Sequence, residues 1–212
     1  MELPPDAPMA ENPCPHPSCV KLYEKSGQTP CMRFCPVDCL SGSVDENGKL
    51  VCQSYQEFSQ KFPQPGWVEH DPIEIYDTTK AVLQSVYHQL PFKSVVGIGI
   101  ANQRETVVMW DKVTGKPLYN AIVWQCRRTS QRCDELSYYR DWIKQKTGLP
   151  IDPYFSATKI EWLLTHCAAV DRSRILVGTI DSWVVWQLTN KTVHITDHSN
   201  ADRKSTRLNS SH

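Results

Sequence analysis

Val95-Val96-Gly97-Ile98-Gly99-Ile100, followed by Ala101 and then Asn102-Gln103-Arg104-Glu105-Thr106, is the stretch whose reading decides the fold. A short apolar run that ends abruptly in polar residues predicts a strand buried on both faces. Arg104 and Glu105, of opposite sign, stand where that strand stops. In open α/β sheets ligands bind outside the carboxyl ends of strands, so a polar ligand is expected here. A second such event follows, with Ala121-Ile122-Val123-Trp124 running into Gln125-Cys126-Arg127-Arg128-Thr129. An arginine, a carboxylate and an indole brought together suit a small polyol.

Working outward, the flanking segments alternate between strand and helix patterns. Asp45-Glu46-Asn47-Gly48 is a turn motif, and Leu50 to Phe58 has strand character. Pro63-Gln64-Pro65-Gly66-Trp67 reads as a rigid loop. Asp71-Pro72 opens a helix with proline at its first position. Its expected apolar face is Tyr76, Thr79, Leu83, Val86 and Leu90. Thr106 to Trp110 is the expected hairpin partner of Val95–Ile100, with 111–116 as the next turn. Ala121 to Trp124 is a further strand. Residues 129 to 146 are helical and stop at Gly148. Ser156 is expected to cap a helix whose face is Ile160, Leu163, Leu164 and Cys167. Arg174 to Val177 is a short strand, and Asp181 to Leu188 an apolar helix carrying Trp183 and Trp186. The pattern predicts one α/β unit over residues 43–201, a mixed sheet with flanking helices.

Bulk properties narrow the function classes. The 212 residues have 40% hydrophobic and 22% charged side chains and a formal net charge of zero. That balance argues against bulk nucleic-acid or membrane-surface binding. No apolar run approaches the ~20 residues of a transmembrane helix, and the acidic, proline-containing N-terminus lacks the features of a secretory signal. Nine cysteines are present. Cys52, Cys126, Cys133 and Cys167 lie scattered in apolar or helical segments and read as reduced thiols of a cytoplasmic protein.

Both ends depart from this pattern. Residues 1–42 are rich in proline, which opposes regular structure, and are expected to be disordered or to come from mistranslated upstream sequence. Cys14, His16, Cys19, Cys31, Cys35 and Cys39 can be drawn as a zinc site, but their spacings do not match paired C-x2-C knuckles, so no metal is expected. Residues 202–212 match, residue for residue, one reading frame of a common sequencing-library adapter and are set aside. Without that tail's three basic residues and one acidic residue, 20 Lys and Arg face 22 Asp and Glu, a net of −2.

At Asn102-Gln103-Arg104-Glu105-Thr106 and Trp124-Gln125-Cys126-Arg127-Arg128-Thr129 the chain resembles the glycerol kinases of the FGGY carbohydrate kinase family. Supporting pieces are 65–72, 114–121, 147–150, 153–156, 178–183, Thr196-Asp197 and Asn200-Ala201, in the family's order. The resemblance covers about three-quarters of the chain. It implies an actin-like, ribonuclease-H-like first domain, partial here, and transfer of the γ-phosphoryl of ATP, with Mg²⁺, to glycerol. It implies glycerol contacts from Arg104, Glu105, Trp124 and Tyr154. A guanidinium only donates and a carboxylate only accepts, so the pair would orient hydroxyls, which do both. Trp124 would pack on the carbon backbone and exclude water. Without the resemblance, Arg104 and Glu105 read equally as a surface ion pair and the two aromatics as core. Arg127 and Arg128 read as structural pairing partners. His70, His166, His194 and His198 form no ligand cluster and read as surface or loop histidines. Full-length family members are often homo-oligomers.

The family's phosphate loop, resembling Asp-x-Gly-Thr-Thr/Ser-Ser, would have its Asp near position 32. Met32-Arg33-Phe34-Cys35-Pro36-Val37-Asp38-Cys39 stands there instead. The catalytic Asp and the second domain would follow Ala201. The 212-residue chain is therefore expected to carry no catalytic residue and to be inactive as it stands. Alternatives are a fragment of another FGGY polyol or sugar kinase, or a non-catalytic splice form whose N-terminal segment binds metal or a partner.

Overall fold

The computed structural model describes residues 49–91, 95, 97–167, 171–197 and 200, with the backbone of 38–44. The expected turn at 45–48, the cysteine-rich N-terminal stretch before Asp38 and the tail from 202 lie outside the described residues. Strands β1 (Asp38–Val44) and β2 (Leu50–Glu57) form an antiparallel pair with an irregularity at Ser43/Val44. β1 begins just after Pro36, the last proline of the N-terminal segment, so its backbone donors are intact.

A second sheet has the order β3-β4-β6-β5-β7, with β3 at Gln60–Lys61, β4 at Glu69–His70, β5 at Val107–Asp111, β6 at Ala121–Ile122 and β7 at Ile175–Thr179. Every described pairing in it is antiparallel. β6 is its central strand, and β5, between β6 and β7, is buried along its whole length. Side chains on a strand alternate between faces, and β5 feeds two cores accordingly. Val107 and Met109 join Val68, Ile122, Val123, Cys126 and Leu163 in one core. Val108 and Trp110 join Ile75, Ala121, Trp183, Val184 and Trp186 in the other.

Helices cover both faces. α1 (Pro72–His88) starts at Asp71, whose carboxylate accepts from the Ile73 N–H at 3.0 Å. Its buried positions are Pro72, Ile75, Thr78, Val82 and Val86. The inward stripe is thus rotated from the expected one: of that set only Val86 is fully buried, while Tyr76, Thr79, Leu83 and Leu90 lie at its margin. α2 (Ser130–Glu135), a 3₁₀ turn at Leu136–Tyr139 and α3 (Arg140–Thr147) realise the expected helical stretch, closed by Gly148 at φ 74°. α4 is Ser156–His166 and packs its Leu163 into the first core. α5 (Ile180–Leu188) carries Trp183 and Trp186 into the second, where the Trp110 and Trp183 rings meet edge-on at 5.4 Å. The α/β architecture with helices on both sheet faces is the expected one.

Val95–Ile100 departs from expectation. Its described residues belong to no strand, and Val95 and Ile98 are 43% and 62% exposed. A doubly buried strand needs a ladder neighbour, and among the described residues none runs beside this segment. β5 is consequently no hairpin partner of 95–100; it pairs with β6 and β7. The expected strand at 121–124 shrinks to two residues because Trp124 and Gln125 enter a turn.

Candidate functional site

The site lies where the chain enters β5. Glu105 has φ 66°, in the left-handed region, and is buried. An L residue there is strained by roughly 1–2 kcal/mol, so surrounding contacts must hold it. They do: the Glu105 carboxylate oxygen Oε2 accepts the Ser156 backbone N–H at 2.8 Å and its hydroxyl at 2.6 Å. Ser156 is the first residue of α4, where backbone donors lack helical partners and the helix dipole favours an anion. Ser156 therefore does not act as the cap expected of it. Phe155 occupies the cap position without a side-chain bond, and Glu105, 51 residues earlier, satisfies the helix start.

Lys159 adds a second tie. It is fully buried, and its Nζ donates to the Glu105 carbonyl at 2.7 Å and the Tyr154 carbonyl at 2.5 Å. Burial pushes its pKa down to about 8, with the Glu105 charge pulling the other way. Sequence reasoning passed over Lys159. The clue was its spacing: three residues after Ser156 and four before Leu163, it occupies a core position of α4.

Trp124 and Tyr154 complete the group. Their rings meet edge-on with centroids 5.7 Å apart. The Trp124 N–H donates to Thr106 Oγ1 at 3.3 Å, and that hydroxyl donates to Gln103 Oε1 at 2.8 Å. Both aromatics are half-buried, and Trp124 packs against the first core. Glu105, Trp124 and Tyr154 are thus brought together. Arg104 is adjacent in sequence, exposed, and forms no ion pair among the described residues. The alternative of an Arg104–Glu105 surface pair is replaced by the Glu105–Ser156 bonds. Upstream, Asn102 Nδ2 donates to Asp181 at 3.0 Å, anchoring the motif to the start of α5.

Arg127 and Arg128 are pairing partners. Arg127 meets Asp152 at 3.0 Å on the surface. Arg128 meets Glu69 at 2.6 Å with both side chains essentially solvent-free. Its guanidinium lies 3.9 Å from the Trp67 ring centre and 4.6 Å from that of Trp162. Of the histidines, His198 lies outside the described residues, and His70 is no surface residue. It is 1% exposed in β4, and burial drives its pKa down to about 4.

The described residues do not fit an ATP–Mg²⁺ group. Three of their buried carboxylates are taken by the chain's own donors: Glu69 by Arg128 and Asn120, Asp111 by Arg174 and the Val113 N–H, Asp181 by Thr179, Asn102 and Thr196. No cluster among them could hold a metal ion.

Residues 41–209 match the model of the FGGY family of carbohydrate kinases, N-terminal domain. A glycerol kinase of Shewanella pealeana is 53% identical over 167 residues, covering 75% of this chain and 34% of that protein. One from Escherichia coli O8 is 46% identical over 168 residues, 76% of this chain and 34% of its own length. The chain thus spans about a third of the length of the curated relatives it matches. Among solved structures, Plasmodium falciparum glycerol kinase with ADP superposes with a TM-score of 0.71 at 35% identity, over 79% of this chain and 35% of that one. A gluconate kinase from Lactobacillus acidophilus reaches 0.70 at 20% identity, over 79% and 34%, a likeness of fold alone. No helix among the described residues is long and apolar enough to cross a membrane. The chain belongs to the FGGY family of carbohydrate kinases.

Proposed function

We propose that this chain carries the acceptor side of an ATP-dependent glycerol kinase, with Arg104, Glu105, Trp124 and Tyr154 contacting glycerol. One observation carries the reading. Glu105 spends only Oε2 on Ser156, and Oε1 accepts no hydrogen bond among the described residues while the Trp124–Tyr154 pair stands by. A buried carboxylate with one oxygen anchored and the other available accepts a ligand hydroxyl with little reorganisation. Arg104, exposed and without an ion pair among the described residues, supplies the complementary donor. The aromatic pair covers carbon and keeps water out, which strengthens both polar contacts. The 46–53% identity to glycerol kinases supports glycerol over other acceptors.

ATP and Mg²⁺ belong to this reading as phosphoryl donor and its counter-ion, held by groups other than the described residues. Phosphoryl transfer rests on positioning and charge around the phosphates. With Met32–Cys39 standing where the family has Asp-x-Gly-Thr, the 212-residue chain is expected to form no glycerol 3-phosphate from ATP. In the domain division that goes with this reading, residues 43–201 are the kinase part, residues 38–42 join it through the β1–β2 ladder, and the rest of the chain is foreign. Four thiols, Cys52, Cys126, Cys133 and Cys167, are unbridged, consistent with a cytoplasmic setting.

Calorimetric titration of the purified chain with glycerol, xylulose and gluconate tests the acceptor assignment. Saturable glycerol binding that Glu105→Gln weakens is the expected result. Xylulose or gluconate binding as tightly as glycerol would reassign the site to another acceptor, and turnover by the 212-residue chain would refute its inactivity.

A further inference from the structure

We infer that the buried Lys159 ammonium is a positioning residue for this site, holding the Glu105 and Tyr154 backbones together so that the Glu105 carboxylate and the Tyr154 ring that meets Trp124 are placed as one unit. The inference rests on the acceptor-site reading, although its first test does not require glycerol.

The geometry is specific. A lysine ammonium has three donors and no acceptor. Two of them reach the carbonyls of Glu105 and Tyr154, residues 49 positions apart in sequence, at 2.7 and 2.5 Å. Both carbonyls belong to segments without helix or strand bonding at that point. Lys159 is therefore a second direct link, beside the Glu105–Ser156 bonds, between the left-handed turn before β5 and the start of α4. Its backbone is fixed within α4, the helix whose start Glu105 caps. Glu105, Ser156 and Lys159 thus close a ring in which carboxylate, helix terminus and ammonium fix one another.

A buried lysine is costly, and an apolar residue at this helix position would pack without that cost. What the ammonium adds is a charge-assisted hold on two carbonyls, stronger than neutral bonds, and a countercharge beside Glu105. Loss of the proton leaves two weaker donors and no countercharge. The charged or titratable groups facing Lys159 are Glu105 ahead of β5, Cys126 after β6, Asp152 ahead of α4 and Cys133 in α2. Burial lowers the Lys159 pKa to about 8, within easy experimental reach.

The test uses the 212-residue chain with 5-fluorotryptophan incorporated. The Trp124 ¹⁹F resonance is assigned with Trp124→Phe and followed from about pH 6 to about pH 10, a span that brackets a buried lysine. In the wild type it should move with one midpoint near 8, because the Tyr154 ring against Trp124 shifts as its carbonyl loses the charge. In Lys159→Arg, which stays charged throughout, the step should vanish. Lys159→Met should shift the resonance at every pH and weaken glycerol binding at least about tenfold, the scale of a lost charged hydrogen bond. Should Lys159→Met fail to fold, the wild-type and Lys159→Arg curves still decide.

A resonance that does not titrate, or a step that survives in Lys159→Arg, overturns the inference. So does a glycerol affinity that stays constant through the titration, since a merely structural lysine would behave that way. A clean titration in a chain that binds no glycerol sinks the acceptor-site reading and leaves the positional role of Lys159 standing.

Discussion

The Glu105 carboxylate caps Ser156: one oxygen receives both the backbone N–H and the hydroxyl of the first residue of α4, at 2.8 and 2.6 Å. The bond crosses from the turn before β5 to the helix on the sheet face, so it joins local backbone strain to tertiary packing. Glu105→Ala removes the acceptor and leaves a buried N–H and hydroxyl unsatisfied, at a cost of about 2–4 kcal/mol. Glu105→Gly loses the same carboxylate but relieves the positive φ. It should unfold later in urea than the alanine variant by about 1 kcal/mol. Equal midpoints would mean that the left-handed turn carries no strain.

The Glu69–Arg128 pair is a second buried electrostatic element. Breaking a solvent-free pair on one side strands the remaining charge and costs about 3–5 kcal/mol. Arg128→Met is expected in that range by equilibrium urea unfolding. Adding Glu69→Gln should recover much of the loss, since neither charge then remains. Arg128→Lys should not restore stability, because an ammonium cannot reproduce the planar contact with Trp67 and Trp162.

Legibility in the sequence followed the range of the interactions involved. Local rules placed Asp71 as the α1 cap and Gly148 at the left-handed stop of α3, because each acts within one turn of its own helix. The Glu105–Ser156 bond and the Lys159–Glu105 tie span 51 and 54 residues and leave no local periodicity to read. Val95–Ile100 failed for a related reason. An apolar run states that it would rather be buried, while burial depends on a neighbouring strand that the run does not encode. His70 likewise was read as exposed because β4 is only two residues long, too short to show alternation. The motif residues Arg104, Glu105, Trp124 and Tyr154 were visible as a set through family resemblance, and their roles toward glycerol stay with the proposal.

His70 makes stability depend on pH in a defined direction. Its folded pKa of about 4 lies below the ordinary 6.5. Between those values the unfolded chain binds more protons, so stability rises with pH there and is lost as pH falls. The contribution is complete above about pH 6.5 and amounts to about 3 kcal/mol if His70 alone titrates. Wild type and His70→Phe, compared by urea unfolding at about pH 7 and about pH 5, should differ in slope, with the variant losing less on acidification. Parallel losses would place the acid sensitivity elsewhere.

Gly178 in β7 faces the first turn of α5. A Cβ built there would sit 2.6 Å from the Ser182 Cβ and 3.4 Å from the Trp110 ring. Neither neighbour is the far end of a flexible chain, so Gly178→Ala should cost about 1–3 kcal/mol through overpacking. Ser182→Gly in the same molecule removes the nearer clash. The double variant should then be more stable than the sum of the two single losses predicts, a coupling of about 1 kcal/mol measurable in a mutant cycle.

Trp124 and Tyr154 separate binding from stability. Both rings are half-buried and meet edge-on at 5.7 Å, a contact worth about 0.5–1.5 kcal/mol. Trp124 also packs against the first core, so Trp124→Ala should lower the unfolding free energy by about 2–3 kcal/mol. It should weaken glycerol as well. The indole would cover the carbon skeleton and dry the Glu105 carboxylate, so its loss rehydrates that contact and should weaken binding about tenfold or more. Tyr154→Phe keeps the ring and removes one hydroxyl. It should leave the melt unchanged and weaken glycerol about threefold to tenfold, one hydrogen bond's worth. Calorimetric titration beside a thermal melt reads both quantities from the same samples. If both variants lose stability and binding in proportion, the aromatic pair is core structure and no wall of an acceptor site. If Tyr154→Phe loses binding while its melt holds, the pair serves the ligand.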